Sequence, residues 1–310
     1  MLAAQSADAY FAYVSNEKGN SVAVLDTESM TVVAKIKTGQ RPRGIGISPD
    51  GDFVFVAVGD DDTIQIIDTA SRTIVGNLPS GEDPEQFAVD PAGKYLYVAN
   101  EDSATVSVID LATRKRIGEI PVGIEPEGIA VSPDGKTIVC TSETTSMAHF
   151  IDAETLKVTS SVLLGSRPRS ASFKSDGSEL WVTSEVGGGL SIVDPATRQI
   201  RKVVKFAVQG LRAETIQPVG INITRDGRLG FVHLGPANRI AIVDGITHEV
   251  VKYLLVGQRA WHRALTPDEK YLLVANGLTN DVSVVDVAGR KIIKSVQIGE
   301  MPWGIAVGPR

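Results

Sequence analysis

Residues 126–164 read PEGIAVSPDGKTIVCTSETTSMAHFIDAETLKVTSSVLL, and their layout decides the fold. Ile129 and Val131 belong to a first short strand. Ser132-Pro133-Asp134-Gly135 turns it, because Asp favours the bend and Gly supplies the positive φ. A second strand follows, then a polar loop, a third strand ending at Asp152, and a fourth strand. The same order runs along the whole chain. The strand-ending Asp recurs at Asp26, Asp68, Asp110, Asp152 and Asp194 at intervals of 42, at Asp244 after 50, and at Asp286 after 42 more. A Pro keeps step at Pro42, Pro84, Pro126, Pro168, Pro218 and Pro302, with Ala260 filling the one gap.

A period of about 40–45 residues that reads as strands means propeller blades. The expected fold is all-β: a seven-bladed β-propeller of four-stranded antiparallel blades, forming a single domain over residues 10–310. The pattern starts at a second strand, Tyr10 to Val14, and stops after an inner one, Gly304-Ile305-Ala306-Val307. The C-terminal strand therefore completes the first blade and leaves no open sheet edge. Each periodic Asp usually precedes Thr or Ala-Thr. A short carboxylate there bonds backbone N–H groups two residues on, so these residues are read as structural rather than catalytic.

Composition narrows the function. The net charge of −6 argues against a general nucleic-acid or anionic-membrane surface. Hydrophobic residues make up 43% but aromatic ones only 5%, and 30 are Gly, which suits short strands joined by tight turns. The lone Cys140 stands where a neighbouring blade has Val98 and reads as a small packed hydrophobe. One Cys allows no intrachain disulfide, thiolate zinc site or c-type haem attachment. No apolar run approaches the ~18–20 residues of a membrane span. Residues 1–9 are too short for a secretory signal, yet their small side chains resemble the tail of one, so they are read as the remnant of an export signal, with a native leader as the alternative.

Tyr13-Val14-Ser15-Asn16, Tyr97-Val98-Ala99-Asn100 and Leu273-Val274-Ala275-Asn276 resemble the signature of YVTN-type β-propeller repeat proteins. Four further stretches are similar to the PQQ-dependent catabolism-associated β-propeller family. They are Gln40-Arg41-Pro42-Arg43-Gly44, Ser142-Glu143-Thr144-Thr145-Ser146-Met147-Ala148-His149-Phe150, Gln217-Pro218-Val219-Gly220 and Gly235-Pro236-Ala237-Asn238-Arg239. The resemblance implies a periplasmic protein associated with PQQ-dependent alcohol oxidation. Its partner would be a small anionic ligand or another periplasmic protein of that system. It implies a setting rather than a reaction.

In a propeller the loops before the inner strands gather at one mouth of the central channel, and function usually sits on such loops. The residues flanking the periodic Pro are thus the candidates: Arg41 and Arg43, Asp83 and Glu85, Glu125 and Glu127, Arg167 and Arg169, Gln217, Arg259 and Trp261, and Trp303. His262, which replaces the Gly that starts other inner strands, joins them. Two acidic blades lie between two Arg-x-Arg blades. One reading is an inter-blade clamp, Arg43 with Glu85 and Glu127 with Arg169, worth about 0–1 kcal/mol per exposed pair. The other is a ligand mouth, since guanidinium forks grip carboxylates and pyrroloquinoline quinone is a tricarboxylate.

Trp261, His262, Arg263 and Trp303 cluster on adjacent blades, as aromatic packing or as a platform for a ring-shaped ligand. Candidate cation ligands are Glu85, Glu127, Glu101 and Glu143, the last two sharing a repeat position with Glu185. The eight extra residues near Ala207–Glu214 fall in a mouth loop and read as a lid, a docking arm or drift. His248 is expected away from the mouth in solvent. Two functions remain: a non-catalytic, monomeric binding propeller, with no catalytic residue assigned, or a metal-assisted hydrolase of lactonase type with a cation in the channel.

Overall fold

The computed structural model describes residues 10–309, so the segment read as an export-signal remnant lies outside the described residues. Within each repeat the burial follows the sequence. In the third blade the second and third strands, Tyr95–Asn100 and Thr105–Asp110, are buried almost throughout, whereas the fourth, Lys115–Pro121, is mostly exposed. The middle strands have a neighbouring blade on each face. They therefore read as near-continuous apolar runs, while the fourth strand carries polar residues around the rim.

Seven such four-stranded antiparallel sheets form the ring. The last strand, Pro302–Pro309, pairs antiparallel with the first, Tyr10–Asn16, setting Tyr13 opposite Ala306 and Val14 opposite Ile305. The ring thus closes as the sequence indicated. Between blades the core is continuous: Trp181 and Ile192 of one sheet pack with Ile221, Val232 and Ala241 of the next. Trp181 needs Gly230 opposite it, since a Cβ there would sit 2.2 Å from the indole Cζ3.

The periodic aspartates do the structural job assigned to them. Asp152 Oδ1 accepts from Thr155 N at 2.7 Å, and Asp244 Oδ1 from Ile246 N at 2.9 Å and Thr247 N at 2.8 Å. These bonds hold both carboxyls below the usual carboxylate range.

One local device positions the mouth. In the inner strands starting at Pro42, Pro84, Pro126, Pro168 and Ala260, pairing slips by one residue between the first position and the fourth. Pro84 pairs Asn100 while Phe87 pairs Val98, and the other blades repeat this. A bulge of this kind leaves the intervening residues free of the ladder and re-aims their side chains. Those residues are Arg43, Glu85, Glu127, Arg169 and Trp261, each with its successor.

Candidate functional site

The bulges bring the periodic residues together. Arg41 donates from Nη1 to Asp83 Oδ1 at 2.5 Å and from Nη2 to Glu85 Oε1 at 2.5 Å, with Asp60 at 3.6 Å and Glu101 at 4.0 Å. Arg43 donates to Glu85 and, at 3.3 Å, to Glu17 Oε1. Across the mouth Arg169 bonds Glu143, pairs Glu127 at 3.2 Å and lies 3.7 Å from Glu185. Arg167 Nε is 2.6 Å from Glu143, and Arg259 Nη2 is 3.3 Å from Glu185.

Both expected clamp pairs form, but they are not exposed pairs. Relative exposure is 0% for Glu85, 1% for Glu127, 3% for Glu143 and 5% for Arg169. In buried networks removing one partner costs about 3–5 kcal/mol, because it strands the other charge. Burial, reinforced by Glu127, pushes the Glu85 carboxyl well above its usual range against the pull of Arg43. Burial raises Glu143 to about 7 although Arg169 opposes it.

The cation site reads differently from the expectation. Among the described residues one trio of carboxylates, Asp83, Glu85 and Glu101, presents oxygens within 4.8 Å of one another. Glu127 and Glu143 belong instead to the Arg169 network. The trio already holds a positive charge, because Arg41 donates into Asp83 and Glu85. A dication there would have to displace that guanidinium, so the residues present do not fit a resident metal.

The other half of the mouth is aromatic. Arg259 and Arg169 lie over Trp261, 4.1 and 5.6 Å from the ring, and Arg43 lies 5.8 Å from Trp303. His262 stacks on Trp303 with centroids 4.0 Å apart. The Nε1 of each tryptophan is buried without a hydrogen-bond partner, as are the Nε atoms of Arg43, Arg169 and Arg263. Oxygens of Glu85, Glu127 and Glu143 are also unpartnered, but those carboxylates are already ion-paired.

Next along the inner strands, neighbouring blades come into close backbone contact around the throat of the channel. A Cβ on Gly44 would sit 2.1 Å from Glu85 O, one on Gly128 2.4 Å from Arg169 O, and one on Gly304 2.7 Å from Arg43 O. Glycine lets each inner strand approach the next. The corresponding positions of the intervening blades carry Gln86, Ser170 and His262. A cavity of about 110 Å³ lies here, lined by inner-strand residues of four blades, among them Gln86, Phe87, His262, Arg263 and Trp303. Only the central channel is shared by those blades. Larger grooves of about 460 and 380 Å³ open among turn residues such as Asp226 and Asp50, at the opposite end.

Some candidates stand apart from this cluster. Glu125 is tied to Thr144 Oγ1 at 2.5 Å, and Gln217 Nε2 donates to Glu214 O at 3.3 Å. In the inserted loop Ala207 N donates to Tyr253 OH at 3.1 Å, and Val208 and Ile216 pack into the core shared by the fifth and sixth blades. His248 is not in solvent. Its Nε2 is 3.0 Å from Glu179 Oε2 and its ring meets Trp181 edge-on at 5.7 Å, a cross-blade staple. His149 is a fully bonded core histidine, with Gly123 N donating to Nε2 at 3.0 Å and Nδ1 2.8 Å from Ser161 Oγ.

The comparisons agree with the architecture. The lactonase, 7-bladed β-propeller family matches residues 4–78, and the cytochrome D1 haem domain family matches residues 51–163. No curated protein matches the chain significantly. Hydrazine synthase of Kuenenia stuttgartiensis superposes with TM-score 0.80 at 22% identity, covering 89% of this chain and 92% of its own. A provisional 6-phosphogluconolactonase from Bacteroides uniformis gives TM-score 0.81 at 17% identity, covering 97% of this chain and 100% of its own. A protein of unknown function from Desulfotomaculum acetoxidans gives 0.83 at 19%, covering 97% and 99%. At such identities the likeness establishes the seven-bladed propeller fold.

Proposed function

We propose that this protein is a non-catalytic binding propeller whose mouth takes a flat, carboxylate-bearing ligand. One observation carries the reading: buried donors without hydrogen-bond partners are spread around the mouth. These are the indole N–H groups of Trp261 and Trp303 and the covered Nε of Arg43, whereas Arg169 Nε already faces Glu185 Oε2 at 3.7 Å. Stacked guanidinium and indole planes suit a flat ring, and the free donors suit its carboxylates. Pyrroloquinoline quinone has this chemistry, and the family resemblance of the four stretches quoted above, among them residues 40–44, adds the periplasm and PQQ-dependent alcohol oxidation as its setting. A haem is also a flat polycarboxylate, in keeping with the partial match to the cytochrome D1 haem domain family.

The lactonase-family match over residues 4–78 favours a second reading, a hydrolase with a channel cation. Against it stands Arg41 in the carboxylate trio. Thermal-shift titrations separate the two readings. The binding reading expects a rise in Tm with pyrroloquinoline quinone or haemin, diminished in Trp261→Ala, and none with Ca²⁺. A Tm rise with Ca²⁺ that a chelator reverses, together with lactone hydrolysis, would establish the hydrolase and overturn the binding reading.

A further inference from the structure

Arg263 breaks the pattern of its strand position. Where the other inner strands place Ile45, Phe87, Ile129, Ala171, Ile221 and Ile305, the seventh blade places an arginine. Its side chain lines the throat cavity, with Nε covered and unpartnered. Unlike the five arginines above it, Arg263 has no ion pair with any carboxylate of the described residues. Its polar contact is with His262, Nη1 to Nδ1 at 3.2 Å. A buried charge without a counter-charge is costly, and a guanidinium sheds its proton with difficulty. Burial lowers Arg263 to about 9, which still leaves it charged at neutral pH.

That contact also fixes the tautomer of His262. A guanidinium only donates, so Nδ1 is the bare nitrogen and the proton sits on Nε2. Burial, then Arg263 and Arg169, holds the imidazole neutral. The buried Nε2–H has no acceptor and belongs to a residue that lines the same cavity, at 5% exposure. The throat therefore offers one full positive charge and one neutral donor between the apolar walls of Phe87, Ile45 and Ile305. Its volume of about 110 Å³ is below the ~300–1,000 Å³ of a site that encloses a whole ligand.

We infer that the throat is a subsite for a single carboxylate, held by Arg263 and His262 Nε2–H, so that a ligand seated at the mouth enters carboxylate first. One charge suits a monoanion better than a phosphate dianion. The orientation rests on the binding reading above; the subsite stands without it.

The test uses the full chain and acetate as probe, at constant ionic strength, with sodium sulfate and phosphate as controls. Binding is read from the fluorescence of Trp303, which stacks on His262. Acetate should bind saturably and in preference to both controls. Arg263→Met should fold with an unchanged or raised Tm, because apolar residues fill this place in the other blades. It should weaken acetate at least tenfold, while Arg263→Lys retains part of the affinity. Absent saturation in the wild type, or equal acetate affinity in folded Arg263→Met, overturns the subsite. A mouth ligand that binds wild type and Arg263→Met equally overturns the orientation and leaves the binding reading intact. Acetate binding without any flat ligand would uphold the subsite and sink that reading.

Discussion

Replacing Arg169 with Met tests whether the mouth is one coupled network. The guanidinium is 5% exposed and serves Glu127, Glu143 and Glu185, themselves 1%, 3% and 5% exposed. Arg167 and Arg259 would still reach Glu143 and Glu185. Glu127 would keep only the Gln86 amide, 3.2 Å away. Stranding a buried charge costs about 3–5 kcal/mol. At ~2 °C per kcal/mol for a large domain, that is roughly 6–10 °C in Tm. The loss should also depend on pH, since the stranded carboxylates recover by taking up protons. Differential scanning calorimetry of both proteins from pH 5 to 8 should show a gap that widens with pH. A gap under about 2 °C at pH 8, or one that narrows as pH rises, would refute the network.

Three further outcomes follow from the same geometry. Arg41→Ala removes the guanidinium from Asp83, Glu85 and Glu101 and leaves only Arg43 on Glu85, so the variant should gain a Ca²⁺-dependent rise in Tm that the wild type lacks; equal responses would mean that Arg41 does not fill that place. Glu143, near 7 in the fold and about 4.3 unfolded, holds a proton that the unfolded chain has released, so its contribution is complete below about pH 4.3 and is lost as pH rises through 7. Glu143→Gln should therefore flatten the decline in unfolding free energy between pH 5 and 8, by on the order of 2–3 kcal/mol, and an unchanged slope in chemical denaturation would contradict the assignment. In the third blade Asn100 Oδ1 accepts from Gly81 N at 3.0 Å, whereas in the fourth Ser142 stands in the Asn position and His149 accepts from Gly123 N at 3.0 Å. His149→Ser should cost about 1–3 kcal/mol in chemical denaturation, and adding Ser142→Asn should restore most of it.

The fold was legible because its cause is local and repeated. Asp-Gly turns, strand-ending aspartates and a fixed Pro spacing report backbone geometry, which short stretches of sequence dictate. The mouth was legible in part for the same reason. Residues next to one periodic Pro must share one end of a ring, so spacing puts Arg43 and Glu85 on neighbouring blades at one mouth, and the structure shows the clamp, one of the two readings, formed between them. Burial was not legible. Exposed clamps were expected, yet the bulges turn Glu85 and Glu127 inward, and whether a loop carboxylate faces water depends on the neighbouring blade. His248 was misread likewise, because its partner Glu179 belongs to another blade, 69 positions away. Arg263 carried a usable signal. Aligned by its Pro or Ala, its position is apolar in every other blade, and a charge in an apolar column marks a side chain kept for something besides packing.

The most direct test is a crystal structure of the full chain grown with pyrroloquinoline quinone and Ca²⁺ together. The account predicts a flat ligand against Trp261 and Trp303, one carboxylate within hydrogen-bond reach of Arg263, and Arg41 still bonded to Asp83 and Glu85. A Ca²⁺ ion between Asp83, Glu85 and Glu101 with Arg41 swung away, and no ligand on the tryptophans, would contradict it.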